Sequence, residues 1–152
     1  MWLRIYTDTS VIGGCEDEEF REHSQQLLAG FVRGDFTMVI SDLTLRELDR
    51  APATVREVLA RVPDGFTEIL STTDEVEELA SAYIEEGVLA ESSRADAFHI
   101  AMATLAKVDV LASWNFKHIV NLKRIHGFNS VNLRRGLHMI EIRSPREVLP
   151  SE

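Results

Sequence analysis

The chain has 152 residues, of which 45% are hydrophobic and 27% charged, and its formal net charge is −9 at pH 7. A chain of this length can bury its own core, so we expect a single domain over residues 1–152. The sequence shows no uninterrupted apolar run of about 18 residues that could span a membrane, and it has only one cysteine. We therefore expect no secretory leader, no membrane insertion, no internal disulfide and a cytoplasmic location.

The charge is unevenly distributed along the chain. Residues 1–112 contain 9 Lys and Arg against 22 Asp and Glu, a balance of −13, whereas residues 113–152 contain 7 against 3, a balance of +4. The acidic total argues against nonspecific nucleic-acid binding. The basic C-terminal part is compatible either with nucleic-acid contact or with an ordinary solvated surface.

The first half of the chain predicts strands that alternate with helices. Short apolar stretches rich in β-branched residues are typical of strands, and apolar residues at helical spacing are typical of helices. The predicted elements are a strand at 3–8, a helix at 16–33, a strand at 36–41, two short helices at 43–51 and 52–61, a turn at 63–65 and a strand at 66–70.

The second half continues the alternation. A helix is predicted at 74–87 and another at 93–107, and the latter is apolar on almost every side after Asp96, which is typical of a buried helix. A strand follows at 108–113, then a connection containing Gly127, then a strand at 138–143. This order predicts a parallel sheet with helices on both faces.

Polar residues occur where the predicted strands end. Asp8 follows the first strand, Asp42 and Glu47 follow the second, and Asn115 follows the fourth, while Asp96 lies near the start of the buried helix. Because ligands of open α/β sheets bind beyond the carboxyl ends of the strands, these residues could converge there. Carboxylates without His or Cys partners favour hard ions, namely Mg²⁺ or Mn²⁺.

Each of these residues also has an ordinary structural interpretation. Asp8 is as compatible with a helix cap as with a metal ligand, and Asn115 with a cap for the residues after it. Glu47 alone favours a solvated helix residue. His99, on an apolar helix, is interpreted as a hydrogen-bonded core residue rather than as a catalytic base. The joint placement at strand ends is what favours a ligand site.

Four segments, taken in order, resemble the PIN (PilT N-terminus) domain proteins and are most similar to the group related to VapC toxins. They run from residue 3 to about 149 and read IYTDTSVIGG, ISDLTLREL, ADAFHIAMATLAKVDVLASWNFKHIV and MIEIRSPREVL. The resemblance implies a three-layer α/β/α sandwich around a central, mostly parallel five-stranded sheet. It also implies a metal-dependent ribonuclease, with RNA as substrate.

The resemblance also implies roles for individual residues. Asp8, Glu47 and Asp96 match acids of the family motif and would act as catalytic residues that hold Mg²⁺ or Mn²⁺, with Ser10 in support. Asn115 stands where the family commonly has a fourth acid. An Asn can offer an oxygen but brings no negative charge and cannot act as a base, so metal affinity and activity are expected to be affected.

The residues after the fourth strand are candidates for RNA binding. Lys117, His118, Lys123 and Arg124 could contact backbone phosphates beside the metal. Trp114 is compatible either with stacking on a base or with packing in the core.

The resemblance further implies a small antitoxin partner and a homodimer. Two alternative functions stay open. The first is a catalytically weakened module of the same fold that binds RNA or a protein, motivated by Asn115. The second is a phosphoacceptor signalling domain, which would require paired acids after the first strand that this sequence lacks.

Overall fold

The computed structural model describes residues 3–150 and shows a five-stranded sheet between two layers of helices. Residues 1–2 and 151–152 of the predicted domain lie outside the described residues. The strands are β1 (Arg4–Thr7), β2 (Thr37–Ser41), β3 (Thr67–Leu70), β4 (Val110–Ala112) and β5 (Ile142–Arg143). The helices are α1 (Thr9–Gly14), α2 (Arg21–Arg33), α3 (Asp42–Leu48), α4 (Ala53–Ala60), α5 (Asp74–Glu85), α6 (Arg94–Leu105), α7 (Leu122–Arg134) and α8 (Pro145–Val148).

The sheet has the strand order β3-β2-β1-β4-β5, and each neighbouring pair is parallel. In the centre of the sheet, Ile5 pairs with Met38 on one side and with Val110 on the other. The chain moves outward from β1 through β2 to β3 and then returns to β4. The carboxyl ends of β1 and β4 therefore flank a topological switch point, which is where sheets of this kind bind ligands.

Two hydrophobic cores cover the faces of the sheet. Helices α5, α6 and α7 pack on one face, where Tyr83, Ile100 and Phe128 are fully buried. Helices α1, α2 and α4 pack on the other, where Ile12 and Phe31 are fully buried. The predicted three-layer α/β/α architecture is therefore confirmed. Among the helices of residues 3–150, none is long and apolar enough to cross a bilayer.

The N-terminal helices differ from the predicted ones. The sequence analysis missed α1, and the helix predicted to begin at residue 16 begins at Arg21. The acidic run before Arg21 forms turns instead of a helix. Two glycines at the end of α1 make it hard to recognise as a helix from the sequence. One of them, Gly14, is required by packing. A β-carbon there would lie 2.5 Å from Ser24 Oγ and 2.9 Å from Trp114 Nε1.

The connection predicted between the last two strands contains a 13-residue helix, α7, which the sequence analysis did not identify. The side chain of Asn121 caps this helix by accepting a hydrogen bond from the backbone N–H of Arg124 at 3.0 Å. Gly127 disfavours a helix by propensity, but it lets α7 approach Val88, whose Cγ1 would lie 2.7 Å from an added β-carbon. The last strand is also shorter than predicted, covering Ile142–Arg143 only.

Candidate functional site

Asp8 lies at the carboxyl end of β1, with 4% of its surface exposed. Asp8 occupies the N-cap position of α1, but its side chain makes no capping bond to the helix. Instead, Ser10 Oγ donates to Oδ1 at 2.6 Å and Ser113 Oγ donates to Oδ2 at 2.6 Å. Burial raises the pKa of Asp8, while His99 and the two hydroxyls oppose that rise.

The same two serines tie the ends of β1 and β4 together. Ser10 Oγ accepts from the backbone N–H of Trp114 at 3.0 Å, and Ser113 Oγ accepts from that of Asn115 at 3.0 Å. Each hydroxyl therefore donates to Asp8 and accepts from the loop after β4. This arrangement fixes the Asp8 carboxylate at the switch point between the two central strands.

Glu47 lies near the end of α3 and is partly exposed. Its Oε1 accepts hydrogen bonds from Thr9 Oγ1 at 2.8 Å and from His99 Nε2 at 2.7 Å. Burial by itself would raise the pKa of Glu47, but the contacts with His99 and Thr9 lower it overall. Glu47 is thus held toward the sheet rather than released into solvent as a helix-surface residue.

Asp96 lies in the first turn of α6 and is held by the loop after β4. Asn115 Nδ2 donates to Asp96 Oδ1 at 3.3 Å, and His118 Nδ1 lies 3.5 Å from Asp96 Oδ2. The amide oxygen of Asn115 accepts from the backbone N–H of His118 at 2.9 Å. The oxygen and the nitrogen of the Asn115 amide are therefore both hydrogen-bonded within the protein. The amide nitrogen donates to Asp96, which an ionised fourth acid could not do.

The three acids share one electrostatic environment. The pKa of Asp96 is raised by burial first, and the charges of Asp8 and Glu47 raise it further, while His99 and His118 oppose the rise. Acids brought together from three elements repel one another unless a positive charge lies between them. The structure therefore brings together Asp8, Glu47, Asp96 and Asn115, which lie far apart in the sequence.

The donor chemistry of this site fits a hard divalent cation, since the carboxylates of Asp8, Glu47 and Asp96 all present oxygen. The buried Asp8 carboxylate, whose charge is disfavoured by desolvation, would gain most from such an ion. Within residues 3–150, however, no three His, Cys, Asp or Glu side chains already form a metal-ligating cluster. The oxygen donors of the site thus suit the ion, but they are not already arranged around a common point as its ligands.

The candidate RNA-binding residues differ in their surroundings. Lys117 and Lys123 are exposed. Arg124 is partly buried and donates to the backbone carbonyl of Val88, and His118 lies against Asp96. The structure therefore leaves the two lysines as the freest cations of the four.

Other polar residues at this edge of the sheet have local structural roles. Trp114 stacks on Phe20, with ring centroids 4.4 Å apart, and its Nε1 donates to Ser24 Oγ at 2.8 Å, so it packs in the core. Asp42 accepts from the backbone N–H of Thr72 at 2.9 Å and from its hydroxyl at 2.8 Å, outside the acid network.

The sequence analysis missed two residues that hold the acids, Thr9 and Ser113. Both are hydroxyl residues at the ends of central strands, and that position was the signal that could have identified them. It did not anticipate that His99, correctly interpreted as a hydrogen-bonded core residue, bonds to Glu47. It also missed a groove of about 400 Å³ beside Glu47, lined by Leu43, Arg46, Glu47 and Arg50.

No family model matches the chain, and no curated protein matches it. Solved structures do match. VapC20 of Mycobacterium tuberculosis, a toxin that cleaves the sarcin-ricin loop, is 18% identical, with a TM-score of 0.57 over 75% of this chain and 92% of that one.

Two further structures have similar folds. VapBC2 of Rickettsia felis, bound to a DNA fragment from their promoter, is 12% identical, with a TM-score of 0.58 over 93% of this chain and 98% of that one. FitAB bound to the IR36 DNA fragment is 15% identical, with a TM-score of 0.58 over 97% and 99%. Likenesses at this level of identity concern the fold.

Proposed function

Because the chain has the fold of the VapC-like PIN domains that its sequence resembles, we propose that it is a Mg²⁺- or Mn²⁺-dependent endoribonuclease. The observation that carries the proposal is the placement of three acids from separate elements at one edge of the sheet. Asp8 is buried at the end of β1, Glu47 of α3 is held by His99 of α6, and Asp96 is held by Asn115 after β4. Three carboxylates at a switch point are a suitable set of ligands for a metal that acts on phosphodiesters.

In this proposal Asp8 and Asp96 hold the ion, and Glu47 reaches it directly or through water. The bound ion supplies a Lewis acid for a phosphate oxygen and a water of lowered pKa for attack on phosphorus. Ser10 orients the Asp8 carboxylate, and Asn115 orients Asp96 by donating to Oδ1. These contacts keep the two carboxylates in place when RNA approaches.

Calorimetric titration with Mn²⁺ tests the proposal. We expect saturable binding to the wild-type protein, together with Mn²⁺-dependent cleavage of RNA. Mn²⁺ at about 100 times its Kd would add about 2.7 kcal/mol to the free energy of unfolding, which corresponds to a rise of about 5–11 °C in Tm for a domain of this size.

Matched variants locate the ion. Asp96→Asn is expected to weaken Mn²⁺ binding at least about 10-fold, since even outer-shell groups contribute this much to metal affinity. Asp109→Asn is expected to leave Mn²⁺ binding unchanged. Asp109 lies at the opposite edge of the sheet, where it accepts a hydrogen bond from the backbone N–H of Arg4. Equal binding by the Asp96 variant and the wild-type protein would contradict the assignment.

The alternative function, a weakened PIN-fold module that binds RNA or a protein, is favoured by Asn115 alone. Asn115 removes one negative charge from the site and has both polar atoms engaged by the protein. Such a module would bind RNA without saturable Mn²⁺ binding at the acids. The same titration therefore separates the two functions.

RNA binding is proposed to use Lys117 and Lys123, which are exposed and follow Asn115 in the sequence. We expect the double variant Lys117→Gln, Lys123→Gln to raise KM for RNA with little change in kcat. It should also lower the slope of log K against log salt by about 1 for each phosphate contact that is lost. Lys107→Gln, an exposed lysine at the opposite edge of the sheet, is the control. A salt slope equal to that of the control would contradict this role.

The resemblance to VapC toxins also supports a cellular role as the toxin of a toxin-antitoxin pair. We accordingly propose a small antitoxin partner, a homodimer and a cytoplasmic location. Co-expression with the product of a small adjacent reading frame, followed by purification on a tag fused to that product, tests for the antitoxin. Recovery of this chain with the tagged product is expected, together with loss of its ribonuclease activity.

A further inference from the structure

We propose that His99 is a positioning residue of the candidate site, because it closes a ring of hydrogen bonds that sets the three acids relative to one another. We use "His99 ring" for this closed loop of four residues, not for the imidazole. It consists of Ser41, Tyr6, His99 and Glu47. It closes through helix α3, because Ser41 caps this helix and Glu47 lies on it. This inference rests on the proposed function, since it concerns the same acids.

The ring is made of short contacts, and all of its members except Glu47 are buried. Ser41 Oγ and Tyr6 Oη are 2.8 Å apart, Tyr6 Oη and His99 Nδ1 are 2.6 Å apart, and His99 Nε2 and Glu47 Oε1 are 2.7 Å apart. Ser41 and Tyr6 are fully buried, and His99 is 3% exposed. Ser41 Oγ also accepts a hydrogen bond from the backbone N–H of Thr44 at 3.3 Å, and this bond caps α3.

Glu47 fixes the direction of its hydrogen bond with His99. An ionised Glu47 can only accept, so a proton lies on His99 Nε2 and is donated to Glu47. His99 Nδ1 is bonded to the Tyr6 hydroxyl, and the Tyr6 hydroxyl is bonded to the Ser41 hydroxyl. No buried polar side-chain atom of the ring is left without a partner.

The ring links the three elements that carry the acids. Tyr6 lies on β1 two residues before Asp8, and His99 lies on α6 three residues after Asp96. Helix α3 is held at its first turn through Ser41 and near its last residues through Glu47. A displacement of α3 or α6 would break a buried bond, and a buried polar network that is only partly satisfied is strongly disfavoured.

Two substitutions of His99 separate a positioning role from a merely structural one. In His99→Gln the terminal amide can take the place of Nε2 and donate to Glu47. In His99→Asn the shorter amide takes the place of Nδ1 and meets Tyr6, but it cannot reach Glu47. Both variants are polar and neutral. Because Asn is one methylene shorter than Gln and leaves a larger cavity, the free energy of unfolding of each variant is measured beside its Mn²⁺ affinity.

We expect His99→Gln to keep the Mn²⁺ affinity and kcat of the wild-type protein within about 3-fold. We expect His99→Asn to weaken Mn²⁺ binding and lower kcat by about 10–100-fold, the usual effect of removing a group that orients a metal ligand. KM for RNA should not change in either variant, because His99 is buried away from the RNA. Tyr6→Phe removes only one hydroxyl from the ring and replaces His99→Asn if the latter does not fold.

Several results would overturn the proposal. Wild-type Mn²⁺ affinity in both His99→Asn and Tyr6→Phe is one, and an equal loss of affinity in the Gln and Asn variants is another. Imidazole nitrogen shifts that show His99 Nε2 without a proton would do the same. If the wild-type protein binds Mn²⁺ but cleaves no RNA, the ribonuclease proposal fails, while the Mn²⁺ affinities still decide the role of His99.

Discussion

Replacing Asp8 with Asn is expected to lower the rate of metal-dependent RNA cleavage at least about 100-fold, since outer-shell groups alone contribute about 10–100-fold and Asp8 is proposed as a ligand itself. The amide keeps the size of the carboxylate and can still accept from Ser10 or Ser113. It removes the negative charge that would hold the ion. Cleavage of an RNA substrate at saturating Mn²⁺ is the measurement.

The same variant is expected to fold as stably as the wild-type protein, or more stably, in the presence of a chelator. Burial raises the pKa of Asp8, so the folded state binds a proton up to a higher pH than the unfolded state does. In this pH interval the free energy of unfolding of the wild-type protein falls as pH rises. The advantage of Asp8→Asn should therefore grow as pH rises from about 4, the ordinary pKa of Asp.

Asp42→Asn is the matched control. Asp42 follows β2 at the same edge of the sheet, but its carboxylate is held by Thr72 outside the acid network. Despite partial burial, these hydrogen bonds lower the pKa of Asp42 overall, so its charge stabilises the folded state at neutral pH and this contribution is lost as pH falls. We expect the control to lose stability and keep activity. Activity of Asp8→Asn equal to that of the wild-type protein would reject Asp8 as a ligand.

Replacing Phe128 with Ala is expected to lower the free energy of unfolding by about 3–5 kcal/mol, or Tm by about 6–20 °C for a domain of this size. Phe128 is fully buried on α7, and its ring meets that of Tyr83 at 5.2 Å in a nearly perpendicular arrangement. Thermal and urea unfolding of the variant measure how much the docking of α7 contributes to this core.

Leu133→Ala on the same helix is the control, because Leu133 is 57% exposed. An exposed substitution of this kind is expected to change the free energy of unfolding by no more than about 0.5 kcal/mol. Similar losses in both variants would mean that the burial of Phe128 does not account for the contribution of α7. A loss below about 1 kcal/mol for Phe128→Ala would contradict the packing of α7 on the sheet.

The sequence by itself determined the alternation of strands and helices, and with it the edge at which the acids lie. Hydrophobic periodicity is a local property, so β2, β4 and the buried helix α6 are found close to their predicted positions. Asp8, Asp96 and Asn115 are likewise placed by their order relative to these elements. The sequence analysis did not predict helix α7, because Gly127 lowers the helix propensity of this segment. The glycine is explained by its close approach to Val88, which only the tertiary structure shows.

Only the tertiary structure decided which side chains meet. Ser113 donates to Asp8 across 105 positions of sequence, and Tyr6 contacts His99 across 93. Such pairs depend on strand register and helix packing, which no local pattern specifies. The sequence therefore indicated the acids and Ser10, but not the contacts by which Thr9, Ser113 and His99 hold the acids. Hydrogen bonds form only within a few tenths of an ångström of their preferred length, and that precision is set by the packing of the whole domain.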